Sequence, residues 1–428
     1  MGNTIMRRVP VHRNGLTDKK PALAAAGGLR PKQFASVNEA IAILRPAEPM
    51  YCYAPAEIEK NAALFLNHFQ GSAHYAVKAN SDPYILSLLY AAGIHHFDVA
   101  SLGEVKLVRE MFPEASLAFM HPVKAREAIV AAYRDYGVRS FVLDSKDELT
   151  KIRRETKGAR DLTLIVRLAM PKGSAATPLD GKFGADPELA VSLLRDIAKE
   201  GKSKIGISFH VGSQTTDPSS YADAIRLTGR ILMESGVKLD VLDVGGGFPI
   251  AGLNMETPPL GVFFDVIRAE IATLGLPSSC QIWSEPGAAL VGTSGEIVVR
   301  VELRKGDLLY LNDGNFGGLR DLCYEKRRNE VRRVRLHGSR VGEEVPAEKV
   351  PLKAFRFYGP TCESMDYMRG PFMLPENIAE GDWIVVRSLG SYGQTFRAHY
   401  NGFYSDLKVE ITEGFSGKLL QLRPNRRK

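Results

Sequence analysis

The sequence predicts an α/β fold in which a (β/α)8 barrel is followed by an antiparallel β domain. Short apolar, β-branched segments recur eight times between about residue 70 and residue 290, and a segment of helical period follows each of them. Nearly every segment ends in a polar residue. This distribution favours a barrel with its site at the C-terminal face over a doubly wound sheet, which concentrates function at one switch point. After about residue 290 the sequence alternates between polar and apolar residues and contains tight turns, as antiparallel sheets do.

The successive chemical residues of the eight segments lie about 20 to 45 positions apart, which fits a strand, a loop, a helix and a return. In chain order the segments are HYAVKAN, HFDVAS, LAFMHP, SFVLDS, LTLIVRLAM, KIGISFHVGS, LDVLDVGGG and QIWSEPG. We therefore predict three regions: a lead-in at 1–45 that partly joins the β domain, the barrel at 46–290, and a sandwich-like or barrel-like β domain at 291–428.

Composition and charge indicate an ordinary globular chain. Charged residues make up 25% and hydrophobic residues 44%, and no interleaving of basic and aromatic residues accompanies the net charge of +7, so we expect no nucleic-acid partner. There is no run of 18 apolar residues and no apolar signal core, so we expect no membrane partner and a cytoplasmic location. The four cysteines form no CxxC pair and have no histidine cluster beside them, so we expect neither a disulfide framework nor a bound metal.

Lys78 stands at the end of the first barrel segment, where its side chain would point into the mouth of the barrel. It is either a solvent-facing rim residue or a lysine that forms a Schiff base, with desolvation and cationic surroundings that lower its pKa. The run Gly245, Gly246 and Gly247 directly follows the seventh segment. These glycines either form a plain tight turn or let backbone N–H groups approach an anion such as phosphate.

Three further residues belong to types that a cofactor site would use. Glu285, at the end of the eighth segment, is either a turn residue or a carboxylate that keeps a pyridine nitrogen protonated. His210, at the end of the sixth segment, is either a satisfied core residue or an imidazole that lies flat on a cofactor ring. Cys362, in the predicted β domain, is either a small buried hydrophobic residue or a thiol that protonates a carbanion.

Taken together, the segments AVKAN, HVGS, DVGGGFP, EPG, GPTCES, LGSY and NGF resemble the ornithine/diaminopimelate decarboxylase family, the pyridoxal-phosphate (PLP) enzymes with the alanine-racemase-like fold. Their order and spacing agree with that family from about residue 50 to about residue 410. The resemblance is closest to the ornithine decarboxylase branch. It implies PLP as the cofactor, a decarboxylation reaction, polyamine biosynthesis as the usual setting, and a head-to-tail homodimer with shared active sites.

The resemblance also implies a role for each matching residue. Lys78 would bind PLP covalently, His210 would stack on its ring, and Glu285 would pair with its pyridine nitrogen. Cys362 of the partner subunit would donate a proton after carbon dioxide leaves. The other cofactor contacts would come from Asp98, Glu104, Arg167, Ser213, the Gly245–Gly247 loop and Tyr392, and the substrate contacts from Tyr324, Glu325, Glu363 and Phe403.

Two departures from the family pattern bear on binding. The residue after EPG is usually an arginine that helps to hold the phosphate, and here it is Ala288, so that ion pair is lost unless another cation replaces it. The distal ammonium of ornithine is usually held by two aspartates, and here those positions are Glu325 and Glu363. One extra methylene on each side chain shortens the pocket if both point inwards. In a second interpretation, Glu325 points to solvent beside Lys326 and Arg327.

An ornithine-type substrate that yields a diamine and carbon dioxide is the first interpretation, and 2,4-diaminobutyrate, lysine and meso-diaminopimelate are alternatives. A racemase of this fold needs a base on each face of the α-carbon, and the thiol of Cys362 and the carboxylate of Glu285 argue against it. A non-catalytic regulator on this fold usually lacks the lysine or the proton donor, and both are present here.

Overall fold

The computed structural model of the protein describes residues 30–170, 181–250, 257–323, 329–337, 340–341 and 350–415. The first elements of the chain are β1 (Lys32–Phe34), α1 (Val37–Leu44) and β2 (Met50–Tyr53). They precede the barrel in the sequence, but both strands belong to a second sheet, described below.

Eight parallel strands form a closed barrel in which each strand pairs with the next along the chain and the last pairs with the first. They are β3 (Ser72–Ala76), β4 (His96–Val99), β5 (Ser116–Phe119), β6 (Ser140–Leu143), β7 (Thr163–Arg167), β8 (Lys204–Ser208), β9 (Val241–Asp243) and β10 (Gln281–Ser284). Each overlaps one of the eight segments identified in the sequence, so the predicted barrel is confirmed.

One helix precedes the first barrel strand, others follow the barrel strands, and together they cover the outside of the barrel. They are α2 (Pro55–His68), α3 (Pro83–Ala91), α4 (Leu102–Met111), α5 (Arg126–Arg134), α6 (Lys146–Glu155), α7 (Pro187–Glu200), α8 (Ser219–Ser235), α9 (Leu260–Ala272) and the short α10 (Ala288–Val291). In the described part of the chain, no helix is long and apolar enough to cross a bilayer.

Successive side chains along the barrel strands alternate between two apolar environments. Residues such as Phe141 and Leu143 belong to the main core, which also contains the apolar faces of the helices. The intervening residues form a separate interior cluster of Ala118, Met120, Val142, Ile165, Val241 and Trp283. Because side chains fill the inside of the barrel, polar residues that follow the strands gather at the mouth formed by the carboxyl ends.

The second sheet contains both ends of the described chain. Its strands are β1, β2, β11 (Gly295–Lys305), β12 (Leu308–Leu311), β13 (Val331–Val334), β16 (Leu352–Tyr358), β17 (Tyr367–Pro375), β18 (Trp383–Val386) and β19 (Lys408–Ile411), while β14 (Leu336–His337) and β15 (Arg340–Val341) form a separate hairpin. The predicted β domain is present, but the sheet is mixed, because β1 with β19, β19 with β2, and β12 with β16 run parallel. β2 pairs in this sheet although the sequence placed residue 50 in the barrel region, and the domain boundaries stay a prediction.

Helices α1, α4 and α6 each begin with a Ser-x-x-Glu capping motif. In α4, the Oγ of Ser101 accepts a hydrogen bond from the N–H of Glu104 at 3.2 Å. The Glu104 carboxylate in turn accepts one from the N–H of Ala100 at 2.6 Å. These bonds satisfy backbone donors that the first turn of a helix leaves free. The helix therefore starts at Leu102, four residues after Asp98, which keeps the connection at this strand end short.

Candidate active site

The mouth of the barrel holds a lysine among acidic groups. The Lys78 side chain is 46% exposed, and its Nζ lies 3.8 Å from Oδ2 of the buried Asp98. Burial lowers the pKa of Lys78, but the acidic groups of Asp98, Tyr392 and Glu285 outweigh burial and leave the pKa raised. The lowered pKa expected from the sequence was therefore wrong in direction, because these acidic groups also outweigh the nearby cation, Arg167.

Three carboxyl groups stand at strand ends around Lys78. Burial raises the pKa of Asp98 to about 7, and the charge of Glu285 adds to the effect. Burial also raises the pKa of Asp243 to about 6 and the pKa of Glu285 well above its usual range, and these two carboxyls share a hydrogen bond. A hydrogen bond between two carboxyls needs a proton on one of them, so the pair carries at most one negative charge.

Asp243 is a site residue that sequence reasoning missed. It ends β9, and its Oδ1 accepts a hydrogen bond from the N–H of Gly245 at 2.8 Å. The N–H of Glu285 donates to the carbonyl oxygen of Gly245, also at 2.8 Å. Both members of the carboxyl pair are thus bonded to the first glycine of the loop. The available signal was a carboxylate at a strand end, as at Asp98, but an aspartate just before glycines is also typical of a tight turn.

The glycine run folds tightly against the end of β8. Gly245 has a φ of +69° and Gly247 a φ of +98°, a region of backbone conformation that disfavours side chains. A Cβ at Gly245 would overlap the carbonyl oxygen of Phe209, and one at Gly247 would overlap the carbonyl oxygen of Gly212. At Gly246, a Cβ would come within 3.2 Å of the His210 ring. The loop therefore forms a cradle of bare backbone at the mouth.

His210 and Ser213 follow β8 and lie next to this cradle. The N–H of Gly212 donates to Nδ1 of His210 at 3.0 Å, which leaves the proton of a neutral imidazole on Nε2. Burial, together with the cations of Lys78 and Arg167, holds the pKa of His210 well below its usual value. His210 is thus a neutral ring. Ser213 is half-buried and directly follows Gly212.

Tyr392 lies in the segment between β18 and β19 of the second sheet. It has a positive φ of 61°, and its N–H donates to the carbonyl oxygen of Ala79 at 2.7 Å, which places it beside Lys78. Arg167 ends β7, with its guanidinium 5.6 Å from the ring centroid of Phe183. The structure therefore brings Tyr392 and Arg167 to the same mouth as the lysine.

Glu104 caps a helix and Ala288 carries no charge, which distinguishes both from the polar residues above. Glu104 is occupied as the cap of α4, and burial raises its pKa to about 7, partly offset by the hydrogen bond from Ala100. Ala288 is half-buried at the start of α10 and offers no charge at the position where the family usually has arginine.

Cys362 lies in the loop between β16 and β17 and is exposed. Its N–H donates to Oδ1 of Asn401 at 3.2 Å, so the loop is fastened to the segment before β19. In the described part of the chain, the groups gathered around Lys78 do not include Cys362. The structure thus brings the predicted cofactor residues to the barrel mouth and places the predicted proton donor on an exposed loop of the second sheet.

The predicted substrate residues are only partly described. Glu363 is half-buried and folded towards its own loop, since the Ser364 hydroxyl donates to Glu363 Oε1 at 3.1 Å. Phe403 is 45% exposed. Tyr324 and Glu325 lie outside the described residues.

Comparison with known proteins gives a consistent result. Residues 55–292 match the model of the pyridoxal-binding domain of the pyridoxal-dependent decarboxylases. The chain is 33% identical over 360 residues to a lysine/ornithine decarboxylase of Selenomonas ruminantium, covering 81% of this chain and 86% of that protein. It is 30% identical over 361 residues to antizyme inhibitor 2 of Xenopus laevis, covering 77% of this chain and 73% of that protein. An arginine decarboxylase of Paramecium bursaria Chlorella virus, solved with agmatine bound, has a TM-score of 0.75 at 26% identity, covering 88% of this chain and 99% of that one.

Proposed function

This chain belongs to the family of pyridoxal-dependent decarboxylases, and we propose that it removes the α-carboxyl group of a small basic diamino acid, with an L-ornithine-type substrate as the best candidate. One observation carries the proposal. Lys78, the Asp243–Glu285 pair and the glycine cradle converge on the carboxyl-end mouth of one barrel.

The residues at the mouth fit the phosphate and the ring of PLP. Gly245 and Gly247 have no room for a side chain, so the loop stays bare backbone. The N–H of Gly245 is bonded to Asp243, and the N–H groups of Gly246 and Gly247 would approach the phosphate. Ser213 and Tyr392 add hydroxyl groups for the same phosphate. Lys78 would hold the cofactor covalently and later release the product amine. When bound, PLP supplies an electron sink for the electron pair that remains at the α-carbon as carbon dioxide leaves.

The protonation states around Lys78 suit this reaction. The Asp243–Glu285 pair can carry one negative charge, and that charge would favour a proton on the pyridine nitrogen. His210 is neutral, so its flat ring would pack on a cofactor face without adding positive charge. Asp98 and Arg167 would balance the charge of Lys78 and of the bound anion.

We further propose that Cys362 donates the proton to the α-carbon, and that it acts in the site of a second subunit. Cys362 is exposed on the loop between β16 and β17 of the second sheet. Exposed apolar side chains lie in the same loop or in the segment bonded to it: Met365, Phe396, Tyr400 and Phe403. Contact with a second copy would remove this apolar surface from water. The protein would then be a homodimer with shared sites.

The substrate is proposed from the chemistry of the predicted pocket. Glu363 and Glu325 would bind a distal ammonium, as expected for ornithine, lysine or 2,4-diaminobutyrate. The names of the relatives, a lysine/ornithine decarboxylase and an arginine decarboxylase, indicate basic substrates of several lengths. meso-Diaminopimelate remains an alternative. Because the chain is also similar to antizyme inhibitor 2, a non-catalytic regulator is an alternative that the experiment must distinguish. The presence of Lys78 and Cys362 favours catalysis.

We also propose a cytoplasmic location. All four cysteines lie in the described part of the chain and are free thiols, which is typical of proteins in a reducing compartment.

The direct test is to incubate the purified protein and PLP with ornithine, lysine, 2,4-diaminobutyrate, arginine and meso-diaminopimelate in separate reactions. Carbon dioxide release and the amine products are measured by mass spectrometry. Release from one or more of the basic diamino acids is expected. Release only from meso-diaminopimelate would contradict the substrate proposal. PLP absorbance without release from any substrate would favour the regulator.

Pocket length can be tested with Glu363→Asp and Glu325→Asp. Each substitution removes one methylene and keeps the charge, so preference should move towards longer diamino acids by roughly ten- to two-hundredfold in the ratio of kcat/KM values. Glu413→Asp, a change at an exposed glutamate after β19, is the control. An unchanged substrate ranking in both variants would show that these side chains do not set the pocket length.

A further inference from the structure

Asp366 is a buried carboxylate at the end of the loop that contains Cys362. It is 2% exposed and directly precedes β17. Its Oδ2 accepts hydrogen bonds from both the N–H and the hydroxyl of Thr361, at 3.0 and 2.7 Å. Its Oδ1 accepts one from the N–H of Asn315 at 2.6 Å. These three hydrogen bonds from neutral donors to one buried carboxylate join the loop of Cys362 to the loop after β12.

Two glycines make room for this carboxylate. A Cβ at Gly314 or at Gly359 would overlap the carboxylate oxygens of Asp366. The N–H of Gly359 also donates to the backbone carbonyl of Asp366 at 2.9 Å, which closes the base of the loop. The site is therefore shaped around a side chain of the length of aspartate, and a longer glutamate has no equivalent space.

Further hydrogen bonds hold the rest of the loop. The side-chain amide of Asn315 donates to the carbonyl oxygen of Met365 at 3.0 Å. The Oδ1 of Asn401, a residue with a positive φ of 52°, accepts from the N–H of Cys362 at 3.2 Å. Cys362 thus sits between an anchor at Thr361 and an anchor at its own N–H, and three separate loops contribute to its position.

We propose that Asp366 is a positioning residue for proton donation, acting through the Thr361 anchor to fix the Cys362 thiol. This inference rests on the proposed function, in which Cys362 protonates the α-carbon. Proton transfer needs the donor within hydrogen-bond distance of the accepting atom, and a misplacement of about 1 Å can slow a reaction about a hundredfold. Asp366 itself contacts neither substrate nor cofactor in this role.

Asp366→Asn is the main test, because asparagine has the size of aspartate. Only one of its two terminal atoms, the oxygen, can accept hydrogen bonds. Its NH2 group would face donors and break one of the anchors. In the PLP-loaded enzyme, hydrogen exchange at the amides of Thr361 and Cys362 should become about tenfold faster, as expected for the loss of about one hydrogen bond. Amine formation should fall about tenfold or more in kcat.

Asp382→Asn is the matched control. Asp382 is also a buried carboxylate of the second sheet, 3% exposed, and is bonded to Arg335 and to the N–H of Ala379. Its replacement should destabilise the protein without changing exchange at Cys362. Thr361→Val and Thr361→Ser test the same anchor by a route that leaves the aspartate in place. The valine should reproduce part of the effect, and the serine, which keeps the hydroxyl, should restore it.

A double-mutant cycle separates positioning from general damage. If Asp366 acts through the thiol, adding Asp366→Asn to Cys362→Ala should lower kcat no further. Full additivity of the two losses would overturn the proposal, as would unchanged exchange at Thr361 and Cys362 in both the Asp366 and Thr361→Val variants. If the unsubstituted enzyme decarboxylates none of the diamino acids, the proposed function fails instead, whereas the exchange measurement still reports whether the anchor exists.

Discussion

Lys78 is held in its charge state by residues that are distant in the sequence. Its pKa is raised because Asp98, Tyr392 and Glu285 outweigh the effect of burial. Only closure of the barrel brings the end of β10 next to the end of β3. The sequence showed a lysine at a strand end, but it did not show which charges would surround it, and for that reason the expected direction of the pKa shift was wrong.

Lys78→Ala should abolish the visible absorbance of protein-bound PLP and reduce amine formation by at least about a thousandfold, since no covalent link to the cofactor remains. Spectra of the protein after addition and removal of excess PLP measure the effect. Lys182→Ala is the control, because Lys182 lies near the same mouth, over the ring of Phe183. A Lys78→Ala variant that kept the wild-type spectrum would show that another group holds the cofactor.

Asp98 makes the stability of the cofactor-free protein depend on pH. Its pKa in the folded protein is about 7, above its ordinary value of 3.8, so the folded state binds this proton more tightly than the unfolded chain does. The resulting stabilisation is complete below the ordinary pKa and is lost as the pH rises through about 7. Asp98→Asn should therefore reduce the loss of unfolding free energy between about pH 5 and pH 8 by about 1–3 kcal/mol.

Denaturant unfolding of the cofactor-free protein at both pH values measures this difference. Asp265→Asn serves as the control, because Asp265 is exposed on α9 and faces solvent. If Asp98→Asn and the wild type lose equal stability over this range, the buried carboxyl at Asp98 is not the source of the pH dependence.

At the scale of elements, the barrel was predictable because each strand carries a local signature. A buried parallel strand reads as an apolar β-branched run, and its polar end residue marks the mouth. β2 was not assigned to its sheet because its sequence, MYCY, is buried throughout and reads like a barrel strand. Its partners, β11 and β19, lie more than 200 residues away, so no local pattern specifies the pairing.

The site was predictable to the extent that a residue's type and its place at a strand end define a role. Lys78, His210 and the glycine run meet at one mouth, as their positions implied, although their individual roles stay predictions. Asp243 was missed because its partner carboxyl, Glu285, follows a different strand, and Asp366 was missed because it accepts a hydrogen bond from Asn315 of a distant loop. Such a contact depends on tertiary structure and leaves no period or motif in the sequence.

The short helix α10 begins where the family pattern places a phosphate-binding arginine. Ala288 is half-buried there and would leave a phosphate bound at the glycine loop without that cation. Ala288→Arg should therefore tighten PLP binding roughly ten- to a hundredfold, the range expected for one added charge-assisted hydrogen bond. Equilibrium titration of cofactor-free protein with PLP gives the dissociation constant. Ala288→Gln, long but uncharged, should show little of the gain, and equal affinities for arginine and glutamine variants would argue against a missing cation.

At the scale of the whole molecule, the two sheets are joined beside Lys78. The side-chain amide of Asn80 donates to the carbonyl oxygen of Gly390 at 2.9 Å, and that of Gln394 donates to Asp82 at 3.0 Å. Lys408 of β19 also forms an ion pair with Asp82. These contacts hold Tyr392 against the barrel mouth, whereas the loop of Cys362 remains at the surface. The cofactor residues therefore lie at the mouth, and the proposed proton donor lies on an exposed loop of the second sheet.

The proposal that Cys362 acts in the site of a second subunit can be tested by mixing two inactive variants. Lys78→Ala lacks the cofactor lysine and Cys362→Ala lacks the thiol, so each homodimer has two defective sites. After subunits are exchanged at equal amounts, half of the dimers are mixed, and each mixed dimer has one site with both residues intact. Activity should return to about a quarter of the wild-type value, as random pairing in a two-fold dimer requires. Two variants that dimerise, exchange subunits and regain no activity would show that Lys78 and Cys362 act within the same chain or that the thiol has no part in the reaction.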